Sequence, residues 1–342
     1  RDLFQENSDQ PFFLYFCTSD PHRGGGVDKT SPLKLKPDLF GNNPERKAHQ
    51  GIEEIFYEPS EVKVPDFLPD TPECRSEIAQ YHQSCSRIDQ GLGHLVSLLK
   101  ETGQWENTVL IYTADHGMAF PGGKTTVYEA GLRVPFIVRH PEAKKRGVVN
   151  NAMISHVDIT PSILDLAKAY DAERRAPLKL ISLAKVPSGE NGGKPAKVYH
   201  GRSWVPILEE ASPKGWDEIG ASHTFHEIQM YYPMRVVRDR KYKLIWNIAW
   251  RQPYPFASDL WRASTWQAQY AKGAEAPYGK RTVDSYINRP QFELYDISSD
   301  PSEARNLAED PAFATVLTHY QSKLKAMQKR TEDPWIMKWR YE

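Results

Sequence analysis

The sequence predicts an α/β protein: a largely parallel sheet sandwiched by helices, followed by a smaller α+β domain containing an antiparallel sheet. Three observations carry that expectation. Short apolar runs at 11–16 (PFFLYF), 108–117 (TVLIYTADHG) and 134–141 (VPFIVRHP) have the continuous hydrophobicity of strands covered on both faces. Helical apolar spacing alternates with these runs, which favours parallel pairing through crossover helices. Beyond about residue 223 the pattern changes to closely spaced strands and then a helix. A chain of 342 residues has room for two such units, placed at 1–222 and 223–342.

Taken in order, the run 11–16 reads as a strand opening into the polar loop CTSDPHRGGG. Loops at the carboxyl ends of sheet strands are where such folds place ligands. Residues 24–70, rich in Gly, Pro, Asn and Lys, read as a long surface excursion. Thr71 and Pro72 then give an N-cap and a first-turn proline. Ile78, Tyr81, Ile88, Leu92, Leu95, Leu98 and Leu99 continue an amphipathic helix to Gly103, with an interruption expected near Gly91. Strands at 108–117 and 134–141 follow, and a second Thr-Pro start at Thr160 opens another helix. The Lys, Gly and Pro content of 171–201 marks an insertion. MRVVRD (234–239) and YKLIWN (242–247) flank Arg240-Lys241 as antiparallel strands, and QFELYDI (291–297) makes a third. Phe313, Val316, Leu317, Tyr320 and Leu324 place a closing helix after them.

Composition narrows the partners. Lys plus Arg and Asp plus Glu both number 44, so no global field draws the chain to nucleic acid or to an anionic membrane. No apolar run reaches the roughly 18 to 20 residues of a membrane span. Cys17, Cys74 and Cys85 lack metal-binding spacing and read as free thiols.

The chemistry concentrates in TADHGMAFPGGKTTVYEAGLRVP (113–135). Asp115 and His116 leave a strand together and can converge on one ligand, although a solvated Asp-His turn would look the same. Gly122 and Gly123 put Lys124 on a loop poor in side chains, suited to a tetrahedral oxyanion and equally compatible with a surface charge.

The order and spacing of DHG, GGK and YEAGLRVPFIV resemble the active-site region of the sulfatases of the alkaline phosphatase superfamily. PFFLYFCTSDPHR, HEIQMYYPMRVVRDRKYKLIWN and ELYDISSDPSEARNLAEDPAF extend the resemblance over residues 10–335, towards the family's sulfamidase branch. The resemblance implies an alkaline-phosphatase-like fold and hydrolysis of a sulfated amino sugar or glycosaminoglycan, with N-sulfate and O-sulfate both open. It implies that Asp115 and His116 ligate a divalent cation. Ca²⁺ comes first, and Mn²⁺ or Zn²⁺ stays open because the sulfamidase branch usually has Asn where His116 stands. His22 would contact the sulfuryl group and protonate the leaving atom, with Asp20 orienting it or touching the sugar. Lys124 would bind sulfate oxygens, and His226 and Glu227 would form the sugar pocket. Glu129 and Arg133 would make a structural ion pair.

Two family features are missing. None of the three cysteines lies in a C/S-x-P-S-R-like motif that would be converted to the formylglycine nucleophile, and the paired aspartates expected on the family's first strand are not found. The expectation is therefore the carboxyl-terminal two-thirds of a sulfatase, incomplete at its N-terminus and inactive alone, with apolar surface left uncovered. A non-catalytic sulfoglycan-binding relative and a phosphodiesterase or phosphonate hydrolase of the superfamily are the alternatives. Family resemblance further implies an extracytoplasmic location and leaves a homodimer open.

Overall fold

The structure, a computed structural model, describes residues 11–24, 37–43, 48–172, 176–177, 199–227 and 230–341. Most of the insertion expected at 171–201 lies outside the described residues.

The first long element is α1, Pro72–Glu101. The Thr71 side chain accepts from the Cys74 backbone N–H, as the Thr-Pro start predicts. The helix runs unbroken through Gly91 and Gly93, against the interruption expected there. An added Cβ would meet nothing within 4 Å at either glycine, so no packing conflict bends the helix. Gly103, at φ +71°, ends it.

Two short strands, β1 (Leu110–Thr113) and β2 (Phe136–Arg139), occupy two of the expected strand positions. They pair antiparallel, Leu110 opposite Arg139 and Thr113 opposite Phe136, and no parallel pair occurs among the described residues. The run 11–16 is not a strand. Phe13, Tyr15 and Phe16 are 71%, 80% and 64% exposed, and their backbone joins no ladder among the described residues. Apolar content supplies the burial preference of a strand, but the strand itself exists only where a neighbour takes its hydrogen bonds. Helix α2, Ile159–Leu166, follows a capping box between Ser155 and Asp158.

The carboxyl-terminal half builds a four-stranded antiparallel sheet from β3 (Glu218–His226), β4 (Met230–Asp239), β5 (Tyr242–Asn247) and β6 (Phe292–Asp296), in the order β6-β5-β4-β3. Strand β3 was not anticipated, and the 222/223 boundary falls within it. Both faces of the sheet are covered. Met234, Val236, Ile245 and Tyr295 join a core with Phe40, Ile78, Phe120 and Val127. Val237, Leu244, Trp246 and Leu294 face the other way, against Tyr320 and Leu324 of the closing helix α3, Ala314–Arg330. Burial on both sides explains why β4 and β5 read as continuous apolar runs rather than alternating ones.

Charged groups tie the two halves together. Glu129 pairs with Arg238 of β4 at 2.9 Å and with Lys243 of β5 at 3.3 Å, not with Arg133, which is exposed. Lys243 also meets Glu303 at 2.8 Å. The partner of Glu129 came from a sheet distant in sequence, which spacing along the chain could not reveal.

Asp333 caps the Pro334–Arg340 turn and grips Arg235 of β4 at 2.6 and 3.0 Å. Burial raises its carboxyl, but the Arg235 and Gln328 hydrogen bonds outweigh burial and hold it below the ordinary value. A depressed carboxyl stabilises the fold above its unfolded pKa and loses that contribution as pH falls through the folded value. Asp333→Asn keeps the cap and removes the charge. Thermal melts should show the variant less stable than wild type at pH 7, with the gap closing towards pH 3. A constant gap would assign the effect to packing.

Candidate active site

The loop after the exposed aromatic segment is fixed by Arg23. Its side chain is fully buried and lies over the rings of Phe40 at 4.5 Å and Phe120 at 4.7 Å. Nε donates to the Ala119 carbonyl at 2.5 Å, while the other nitrogens meet Asp38 at 3.2 Å and Glu77 of α1. Glu77 in turn accepts from the Thr265 backbone N–H at 2.7 Å. Arg23 thus clamps its own loop to the loop carrying Lys124.

The Lys124 loop folds back on itself. The Gly117 N–H donates to the Gly131 carbonyl at 3.0 Å, and the Lys124 N–H to the Met118 carbonyl at 2.9 Å. A Cβ at Gly117 would stand 1.7 Å from the Ala130 carbonyl oxygen, so this close approach requires glycine. Thr125 takes φ +66°, and the Tyr254 hydroxyl donates to its carbonyl at 2.7 Å.

These constraints bring Lys124 Nζ to 3.5 Å from His22 Nε2 and 3.0 Å from Asp259 Oδ2. His22 Nδ1 lies 2.6 Å from the Arg23 carbonyl. We assign Nδ1–H as the donor there, which turns the Nε2 lone pair towards the lysine. Lys124 has three N–H groups, and two have these partners, leaving one for an incoming oxyanion.

His226 ends β3 just past a register shift between His223 and Phe225. Such a bulge re-aims the residues that follow. Burial and then the Lys124 charge hold the His226 imidazole below the ordinary value of 6.5, partly offset by Glu227 and Asp259. Glu227 takes φ +54° and accepts from the Ser258 hydroxyl at 3.3 Å, next to Asp259. His22, Lys124, His226 and Glu227 therefore gather at one place, joined by Asp259 and Arg23, which sequence reasoning missed. Asp259 sits in FASDLW among apolar residues and carries no motif signal, and Arg23 was passed over in SDPHR.

Asp20 is placed differently. Both of its carboxylate oxygens accept from Arg87 of α1, at 2.8 and 3.1 Å. That carboxylate is engaged in holding the loop to the helix.

Asp115 and His116 follow β1. His116 Nδ1 lies 2.8 Å from the Gly117 carbonyl, and its Nε2 is 3.7 Å from Asp115 Oδ2, whose side chain is 88% exposed. With Nδ1–H donating to the carbonyl, Nε2 is left as a free donor to a metal, the usual way an outer contact fixes a ligating histidine. One carboxylate and one imidazole side by side fit a divalent cation as part of its ligand set. Among the described residues no group of three or more His, Cys, Asp or Glu side chains is arranged to hold one.

With that geometry in hand, comparison with known proteins is decisive on family. The Sulfatase family pattern matches residues 1–169. The chain is 35% identical to human N-sulphoglucosamine sulphohydrolase over 98% of its own length and 64% of that protein's. The chain belongs to the sulfatase family. An ulvan-active sulfatase from Formosa agariphila is 24% identical across 96% of the chain and 52% of its own length. The chain thus spans between half and two-thirds of the length of these relatives. Two solved structures share the fold. One, in complex with its substrate D-glucosamine-2-N,6-O-disulfate, has TM-score 0.51 and 21% identity over 78% of this chain and 44% of its own. The other, a 2-O GAG sulfatase, has TM-score 0.50 and 17% identity over 86% and 56%. The alkaline-phosphatase-like sulfatase fold expected from the sequence stands, with its described strand pairs antiparallel. No helix among the described residues is long and apolar enough to cross a membrane.

The electrostatics predict a measurable coupling. Replacing Lys124 by Met should raise the His226 pKa towards 6.5, as read from imidazole NMR shifts against pH. An unchanged titration would separate the two residues.

Proposed function

We propose that these residues form the sulfate-binding and sugar-binding part of a sulfohydrolase that removes N-linked sulfate from glucosamine in heparan-type glycans. The observation that carries the reading is the approach of Lys124 Nζ to His22 Nε2 at 3.5 Å, from positions 102 residues apart, in a sulfatase-family chain. A buried lysine beside a histidine whose other nitrogen is fixed suits departure of an amine from a sulfuryl group, since one group can meet the sulfate oxygens and the other the leaving atom.

In this reading the remaining N–H of Lys124 binds a sulfate oxygen and stabilises charge developing there. His22 would release its lone-pair contact with Lys124 on taking a proton from solvent at Nε2 and would donate that proton to the leaving nitrogen, with its Nδ1–H still held by the Arg23 carbonyl. His226 and Glu227 hold sugar hydroxyls. Asp20 serves the loop rather than the sugar. Asp115 and His116 would hold the divalent cation, Ca²⁺ in the first place and Mn²⁺ or Zn²⁺ on the strength of the imidazole. Bound there, the cation would polarise the sulfate oxygens. Formylglycine would supply the nucleophile in this family's chemistry, and no residue named here is given that part. The same reading places the protein in an extracytoplasmic compartment.

The test is sulfate release from N-sulfoglucosamine by the protein expressed from its complete gene, followed by ion chromatography. We expect turnover that is lost on chelation and restored by Ca²⁺. His22→Ala and Lys124→Ala should each lower kcat/KM by about 100-fold or more. Saturable sugar binding without turnover would instead make the protein a sulfoglycan-binding relative, and a preference for phosphonate or phosphodiester substrates would sink the reading.

A further inference from the structure

Asp259 stands where an anion-binding site has least use for it. Its Oδ2 accepts from Lys124 Nζ at 3.0 Å and its Oδ1 from the Leu260 backbone N–H at 2.9 Å. Burial raises its carboxyl, but the Lys124 ammonium outweighs burial and holds it below the ordinary value, so it is anionic at neutral pH. A carboxylate against the lysine weakens the field that lysine presents to sulfate. The arrangement is favourable only if the ligand brings a hydrogen-bond donor along with its sulfate.

The geometry leaves room for that donor. Each carboxylate oxygen has a second lone pair beyond the bond it already accepts. The Asp259 side chain is 17% exposed where that of Lys124 is 4%, so of the two it keeps more surface open to a ligand. It is also linked to both ends of the site: Lys124 binds it directly, while Glu227 bonds the adjacent Ser258 and His226 feels its charge.

N-sulfates and O-sulfates differ at one atom. The nitrogen bridging sulfur to the sugar in an N-sulfate carries a hydrogen. The bridging oxygen of an O-sulfate carries none and would turn lone pairs towards a carboxylate. We infer that Asp259 is a specificity-determining residue that accepts a hydrogen bond from the sulfate-bearing nitrogen of an amino sugar, selecting N-sulfate over O-sulfate; this rests on the sulfohydrolase reading above. The free amine left after desulfation, an ammonium at neutral pH, offers the same carboxylate three donors.

Asp259→Asn and Asp259→Glu, made in the protein expressed from its complete gene, test the inference by two readouts. In kinetics, Asp259→Asn should lower kcat/KM on N-sulfoglucosamine by about 10-fold or more while leaving turnover of glucose 6-sulfate, which has no nitrogen, equal or higher, since a site built around a donor discriminates against ligands lacking it. In calorimetry, which needs no turnover, the same variant should weaken glucosamine binding by about 10-fold and leave inorganic sulfate binding equal or tighter. Asp259→Glu keeps the charge that pairs with Lys124 and should lose the N-over-O preference through displacement of its oxygens. Equal losses on both substrates with unchanged glucosamine affinity would overturn the inference and reduce Asp259 to a support for Lys124. If wild type fails to hydrolyse N-sulfoglucosamine, the sulfohydrolase reading falls. The amine contact is then judged by calorimetry alone: glucosamine binding lost in Asp259→Asn sustains it, and no glucosamine binding by wild type overturns it.

Discussion

A guanidinium removed from water must be given replacement partners on every side, and Arg23 receives them from three segments. Two aromatic faces, a carbonyl and two carboxylates surround it, drawn from the Asp38–Phe40 turn, the Ala119–Phe120 loop and α1. Because an arginine cannot shed its charge, each of those partners is obligatory. Losing one side of such a buried pair costs roughly 3 to 5 kcal/mol. The consequence for function is positional. His22 is the next residue along, and the Ala119 carbonyl that Arg23 grips lies five residues before Lys124. The separation between imidazole and ammonium is therefore set by a neighbour that need not touch substrate.

The same logic operates at His226 and Glu227 with different means. There the sheet does the positioning, and a register shift before His226 departs from strict alternation at the strand's end. Glu129, Lys243 and Glu303 lock the loop following Lys124 to that sheet through charges that are almost entirely buried. The His22–Lys124 pair and the His226–Glu227 pair are thus held by one connected body, across the position where sequence patterns suggested a division. One apolar core from Phe40 to Tyr295 says the same in hydrophobic terms.

What could be read in advance followed from local physics. The Thr71-Pro72 start, the Gly103 stop, the strands around Arg240-Lys241 and the closing helix depend on caps, turns and periodicity, all properties of neighbouring residues. Lys124, His22, His226 and Glu227 were legible because short motifs carry them. The failures share one cause. Residues 11–16 have strand composition without a ladder partner, β1 and β2 pair antiparallel although buried runs suggested parallel pairing, and Glu129 chose Arg238 over the nearer Arg133. In each case the deciding partner lies far along the chain. Asp259 escaped for the same reason, since only the fold shows that it meets a lysine 135 residues away.

The contrast between Lys124 and Asp115 shows how the site divides its work. Lys124 is buried and bonded to both His22 and Asp259, so its ammonium is held in place by the protein itself. Asp115 points almost wholly into solvent, so its carboxylate oxygens are not committed to another element of the fold. The first is organised by the protein alone, and the second leaves its oxygens open to whatever approaches from solvent. His22 belongs with the first kind: one ring nitrogen is fixed by the Arg23 carbonyl and the other faces the held ammonium, so the ring has little freedom to turn.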